Sequence, residues 1–115
     1  MRVINRSRNC EVASQVEFAE HFFQRLKGLL GRSKMRDEQG LWIPHCQGVH
    51  TVGMRIWIDA VYLSAEGRVI HLESFLRPNR LGTVCWSAQA VLELAAGKIS
   101  RADLRMGDLL ELTGG

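Results

Sequence analysis

The chain has no apolar run approaching the ~20 residues a membrane helix needs. It has no leader-like start either. The first ten residues carry Arg2, Arg6 and Arg8 without an apolar core, so no signal peptide is expected. There is no CxxC pair. The three cysteines, Cys10, Cys46 and Cys85, are odd in number and far apart. That pattern argues against a disulfide framework or a paired zinc motif and for free thiols in a reducing, cytoplasmic setting. Lysine is scarce: Lys27, Lys34 and Lys98 are the three, and arginine supplies the rest of the 15 basic residues. Arginine suits planar, bidentate contacts to carboxylate or phosphate, and in a soluble domain it most often forms surface ion pairs. The net charge is only +3. A nucleic-acid footprint wants basic residues gathered on one face with exposed aromatics, and this mild excess falls short of it, so a nucleic-acid partner is not expected. Repeats and low-complexity segments are absent.

What is present fits one soluble domain. A chain of 115 residues, 46% hydrophobic and 23% charged, has room for a single core spanning 1–115. At this size roughly 65% of the unfolded surface is buried on folding, so neither metal nor disulfide is required.

The hydrophobic pattern is mostly that of short strands. Val3 and Ile4, mixed with Arg and Asn, suggest an edge strand over 1–9, with Asn9 as a turn residue. Glu11 to Phe18 alternates and predicts one half-buried strand. The period then changes. Phe22, Phe23, Leu26, Leu29 and Leu30 recur at helical spacing, and Gly31 makes a natural stop, which predicts an amphipathic helix from about Glu20 to Leu30. A polar loop over 32–39 leads to a short strand, Gly40 to Ile43, ended by Pro44.

Arg55 to Leu63 reads as a strand buried on both faces. The turn Ala65-Glu66-Gly67 joins it to a returning strand, Arg68 to Phe75. Val84 to Trp86 suggests another strand, and Leu109 to Leu112 the last. Between them, 84–97 is compatible with helix or strand. Ile99 to Leu104 could form one helical turn with Ser100 as its N-cap. One helix and six or seven short strands predict a mainly β (β-rich α+β) fold. The expected form is a small antiparallel barrel or sandwich with the amphipathic helix covering one side.

The unusual chemistry gathers in one stretch. His50, Thr51, Met54 and Arg55 surround Gly53, and Asp59 stands inside an otherwise apolar strand. A buried charge is expensive unless something satisfies it. His50, Arg55, a backbone amide or a cation could do so for Asp59. A His–carboxylate pair suits a general base or a metal ligand, whereas a structural Asp would cap a turn or pair with an arginine. Cys46, four residues before His50 and next to His45, could be a nucleophile or a ligand, although free cysteines are usually buried small hydrophobes. Met54 and Trp57 could line a pocket or fill the core. Arg77 and Arg80 could clamp an anion or simply be solvated. Gly28 to Gly31 is not a phosphate loop, because it closes a helix where phosphate needs one to open.

Taken together, several segments resemble the domain of unknown function 192 (DUF 192) family. They are Arg25-Leu26-Lys27-Gly28-Leu29-Leu30-Gly31-Arg32, Gly40-Leu41, Cys46, His50-Thr51-Val52-Gly53-Met54-Arg55 and Ile58-Asp59. Gly67-Arg68-Val69, Val91-Leu92-Glu93-Leu94-Ala95-Ala96-Gly97 and Gly107-Asp108 complete the set. The resemblance covers almost the whole chain. It implies a compact β-rich domain of sandwich or barrel type with a short helix, found widely in bacteria and archaea, and it brings no established activity. His45 here separates Pro44 from Cys46 where the family often has Pro-Cys. Trp57 stands in place of a proline common two residues before the Asp.

Two functions are compatible with these residues. The first is a non-enzymatic binding or accessory module, with a polar pocket around His50 and Asp59 that takes a small polar ligand or a protein segment. The second is a small hydrolase-like enzyme using His50 and Asp59 with Cys46 or a bound metal. No cofactor is indicated.

Overall fold

The computed structural model describes residues 1–19, 35–50, 56–78 and 81–114. The helix expected over Glu20 to Leu30 lies outside the described residues, as do Thr51, Met54, Arg55 and Arg80. So do the side chains of Val49, His50 and Leu81 to Thr83.

Among the described residues, ten strands and one short helix follow in order. They are β1 (Arg2–Asn5), β2 (Cys10–Ala13), β3 (Gln15–Phe18), β4 (Gln39–Pro44), β5 (Gly48–His50), β6 (Ile58–Leu63), β7 (Val69–Leu76), β8 (Leu81–Val84), β9 (Ala90–Ala95), α1 (Lys98–Arg101) and β10 (Leu110–Thr113). The main sheet has the order β3-β4-β9-β6-β7, a second sheet β10-β1-β2, and β5 pairs with β8. This is a sandwich-like, mainly β fold. Among the described residues the main sheet stays open, with β3 and β7 as its two edges.

The central strands explain why a core forms on both sides. Every residue of β6 and β9 is buried. On one face Ile58, Ala60 and Tyr62 pack with Leu41, Ile43, Val91 and Ile56. On the other, Val61 and Leu63 pack with Leu92, Leu94 and Val16, against Val3, Val12 and Leu110 of the second sheet and Ile99 of α1. A strand covered on both faces shows the continuous apolar run seen in the sequence.

Four sequence expectations change. First, β1 is the middle strand of its sheet, not an edge. Val3 and Asn5 are sealed, while the arginines reach sideways to Glu11 and Glu111. Second, Glu11 to Phe18 is two strands. Ser14 and Gln15 both donate their amides to the Glu38 carbonyl, at 3.1 and 2.9 Å, and the chain crosses from one sheet to the other there. Third, β3 and β4 run parallel, whereas the other described strand pairs are antiparallel. A parallel pair needs a long crossover, which 19–38 provides. Fourth, the strand placed at Val84 to Trp86 is β8 at Leu81–Val84. The ambiguous segment resolves as a strand over Ala90–Ala95, because it sits between β4 and β6 and hydrogen-bonds to both. Tertiary pairing overrides its helical composition.

Candidate functional site

The strand β6 presents different chemistry on its two sides. Asp59 projects toward the second sheet and α1 and is 0% exposed. Its Oδ1 accepts the amide N–H groups of Phe75 and Gly97, both at 2.9 Å. Its Oδ2 accepts the N–H of Ile99 at 2.9 Å. The satisfying partner of this buried charge is therefore backbone amide, one of the four alternatives open in the sequence. Gly97 is the N-cap of α1 and Ile99 its second residue. Asp59 thus does from a neighbouring strand what an N-cap side chain does locally. Ser100 is not the cap, because the turn begins two residues earlier, at Lys98.

The third amide belongs to a distortion in β7. Ile58 faces Leu76 and Ala60 faces Glu73, so Ser74 and Phe75 together oppose Asp59 in a bulge. Phe75 there has φ 56, a left-handed conformation rare for a large side chain. The Asp59–Phe75 hydrogen bond holds that backbone in place. The phenyl ring is turned outward and is 56% exposed. It rests over Gly97, where a Cβ would fall 3.3 Å from the ring and 2.6 Å from a guanidinium nitrogen of Arg101. Glycine suits this position by its φ of 85, whereas an added Cβ would only have to displace the flexible end of Arg101.

Beside this pair lies a second one. Trp57, which precedes β6, is 46% exposed. The Arg77 guanidinium lies over its ring, 5.7 Å from the centroid, within the range of a cation–π contact. Both pairs sit at the end of the main sheet where β6 begins and β7 ends. Asp37, on the same side of α1, bonds Lys98 at 2.8 Å and Arg101 at 2.7 Å. These two cations hold its carboxyl below the usual carboxylate range.

The other face of β6 carries a separate polar group. The buried Tyr62 hydroxyl donates to Glu73 Oε1 at 2.5 Å. Its ring lies 5.1 Å from that of His71. Burial, then the carboxylate of Glu73, pushes the phenol up, so it stays protonated. His71 Nε2 is shut off from solvent and meets no hydrogen-bond partner among the described residues. Glu93, fully buried, projects from β9 on this same face, because it pairs with Ala60. Cys46 and Cys85 pack at the edge of this core, and the Cys46 thiol donates to the Gly48 carbonyl at 2.9 Å.

Two of the expected site residues are placed apart. Asp59 and Cys46 lie on opposite faces of the main sheet. The backbone of His50 is placed in β5, opposite Leu81. Among the described residues no cluster of three or more His, Cys, Asp or Glu side chains is arranged to hold a metal. Sequence reasoning misses Tyr62, His71, Glu73 and Glu93. Glu93 carries the same signal as Asp59, an acid inside an apolar strand. Trp57 and Arg77 are visible in the sequence, but nothing in their spacing joins them to Phe75 or Arg101.

Two solved structures share the fold. One is a provisionally named transcription regulator from Sinorhizobium meliloti 1021. It has a TM-score of 0.77 and 23% identity over 96% of this chain and 89% of that one. The other is a protein of unknown function from Novosphingobium aromaticivorans DSM 12444, with the same TM-score and identity over 96% and 82%. No curated protein matches the chain. The model of the DUF 192 family, described as an uncharacterized ACR, matches residues 3–112, and the chain belongs to that family.

Proposed function

We propose that the protein is a non-enzymatic binding module. Its contact surface is the end of the main sheet that Asp59 organises: Trp57 with Arg77, and Phe75 with Arg101. The observation that carries this reading is Phe75. A large apolar ring stands more than half in solvent on a left-handed backbone, fixed by a buried carboxylate. Strain of this kind costs of order 1–3 kcal/mol, persists only where the surrounding structure fixes it, and clusters at functional sites. Folding alone would favour Asn or Gly at this φ. Asp59, expected at the wall of a pocket, here serves as the frame beneath a surface. The provisional label of the Sinorhizobium structure, transcription regulator, is compatible with a protein whose role is to bind.

The hydrolytic alternative has no comparable support. The oxygens of Asp59 take three amides, and the thiol of Cys46 takes a carbonyl. The three free thiols fit a reducing compartment, the cytoplasm. No helix among the described residues is long and apolar enough to cross a membrane.

The test is thermodynamic. Replacing a fully buried Phe or Trp by a small residue costs about 3–5 kcal/mol. Trp57→Ser and Phe75→Asn should each change stability by no more than about 1 kcal/mol, because relief of strain offsets the packing that Phe75 gives up. Urea denaturation measures this. A drop above about 2 kcal/mol in both variants would make these rings structural and remove the reading.

A further inference from the structure

We infer that Cys46 and Cys85 form a redox-sensitive dithiol, a site of reversible oxidation at which a hydroperoxide converts the two thiols to a disulfide. The inference does not depend on the contact surface proposed above.

The backbone brings the two residues together. Gly48 pairs with Val84, and the Cys85 amide donates to the Gln47 carbonyl at 2.7 Å. The Gln47 side chain donates from Nε2 to the Trp86 carbonyl at 2.9 Å, so the residue next to Cys46 holds both Cys85 and the residue after it. With strands about 4.8 Å apart and a rise of about 3.3 Å per residue, the Cα atoms of Cys46 and Cys85 lie roughly 6 Å apart. A disulfide spans about 4.4–6.8 Å between Cα atoms.

The side chains also share a side. Regular alternation would turn them apart, but β5 begins only at Gly48, and His45 before it has φ 54. Cys46 and Cys85 both pack against the core cluster that contains Ile43, Tyr62 and Val91. The Tyr62 phenol gives a second sign. Burial and Glu73 dominate the upward push on it, and charge on Cys46 and on Cys85 adds to that push. Both thiols are partly exposed, so a small oxidant can reach them. Cys10 is exposed on β2 of the other sheet and stands outside the pair.

The chemistry closes on these two residues and the peroxide. One thiolate sulfur attacks a peroxide oxygen, the O–O bond breaks, and a sulfenic acid forms as water leaves. The second thiol attacks that sulfur. The S–S bond forms, the S–O bond breaks, and the hydroxyl departs with a proton as a second water. The two thiols give up two electrons and two protons, and hydrogen peroxide becomes two waters. The Cys46 thiol leaves the Gly48 carbonyl, which it meets at 2.9 Å, so only a weak hydrogen bond is exchanged for the covalent one. In a reducing compartment most disulfides are transient and redox-sensing, and an exposed, short-lived pair is of that class.

The experiment is brief exposure of the whole chain to dilute hydrogen peroxide, followed by intact mass, thiol titration in guanidinium and peptide mapping. The mass should fall by about 2 Da without dimer formation. The three free thiols should fall to one, and mapping should join Cys46 to Cys85. Dithiothreitol should restore all three. Cys46→Ser and Cys85→Ser should each abolish the change, and Cys10→Ser should leave it intact. Because the bond closes the segment that carries β5 to β8, the oxidised chain should melt about 10 °C higher. The inference is overturned if the thiols stay reduced, if they pass to sulfinic acid without a disulfide, or if Cys10 or a second chain supplies the partner sulfur. An oxidised chain that melts lower than the reduced one also overturns it, because the thiols would then have been forced together. The mapping on the parent chain decides the matter even if a serine variant fails to fold.

Discussion

Removing the Asp59 carboxylate should be among the most damaging single changes available to this chain. Asp59→Ala leaves three amides, of Phe75, Gly97 and Ile99, without their acceptor in a site closed to water. A buried polar group left unsatisfied costs about 1–3 kcal/mol. Relaxation of the β7 bulge can turn the Phe75 amide toward solvent, so the full sum for three groups is not reached. About 4 kcal/mol is the expected loss, a large part of the roughly 5–15 kcal/mol a domain has. At roughly 4 °C per kcal/mol for a domain of this size, the melting temperature should fall by about 15 °C. Asp59→Asn is the more telling variant. Its oxygen can still accept, but its NH₂ group brings a donor toward a donor, so about 2–3 kcal/mol should be lost. Calorimetry gives the totals, and amide hydrogen exchange gives the location. Exchange at Phe75, Gly97 and Ile99 should accelerate more than at Val61 or Leu92 of the same sheet. If Asp59→Asn melts within about 3 °C of the parent, the three-amide account is wrong.

Two other tests are independent of the site. Tyr62 is the single tyrosine, so its ionisation can be followed by ultraviolet absorbance without overlap. Burial and Glu73 raise the folded phenol above the ordinary value of 10.0, whereas the unfolded chain ionises near it. The stability Tyr62 contributes is therefore complete below pH 10 and declines as the pH rises above it, so the phenolate signal should appear together with unfolding. Gly67 closes the β6–β7 turn with φ 94, and a Cβ there would run into the Leu110 carbonyl oxygen. Gly67→Ala should cost about 3 kcal/mol or more, read from urea midpoints at an unchanged m-value.

The central strands were legible because their signals are local. The apolar run ending at Leu63, the Gly67 turn and the returning strand need only neighbours in sequence to be read. The fate of Ser14 was not legible, because the Glu38 carbonyl that splits the strand is far away along the chain. Val91 to Leu94 could be read either way until β4 and β6 were known to flank it. Asp59 was found from the cost of a buried charge, but its partners could not be named: backbone amides leave no mark in a sequence. For the same reason Ser100 looked like the cap of a turn that Asp59 caps from another strand. Phe75 gave no warning at all, since a positive φ at phenylalanine is imposed by its surroundings.

The strand order also fixes a timetable. Every strand of the five-stranded sheet has been synthesised once Ala95 has left the ribosome. The three-stranded sheet cannot close then, because its β1 strand, made first, pairs with β10, made last, with Arg2 opposite Thr113. Until β10 arrives, Leu110 is missing from the layer that covers Val61, Leu63, Leu92 and Leu94. The nascent chain therefore carries an incompletely covered apolar face until β10 has been made. A ribosome stalled between Ala95 and Leu110 would hold the molecule at its most aggregation-prone stage.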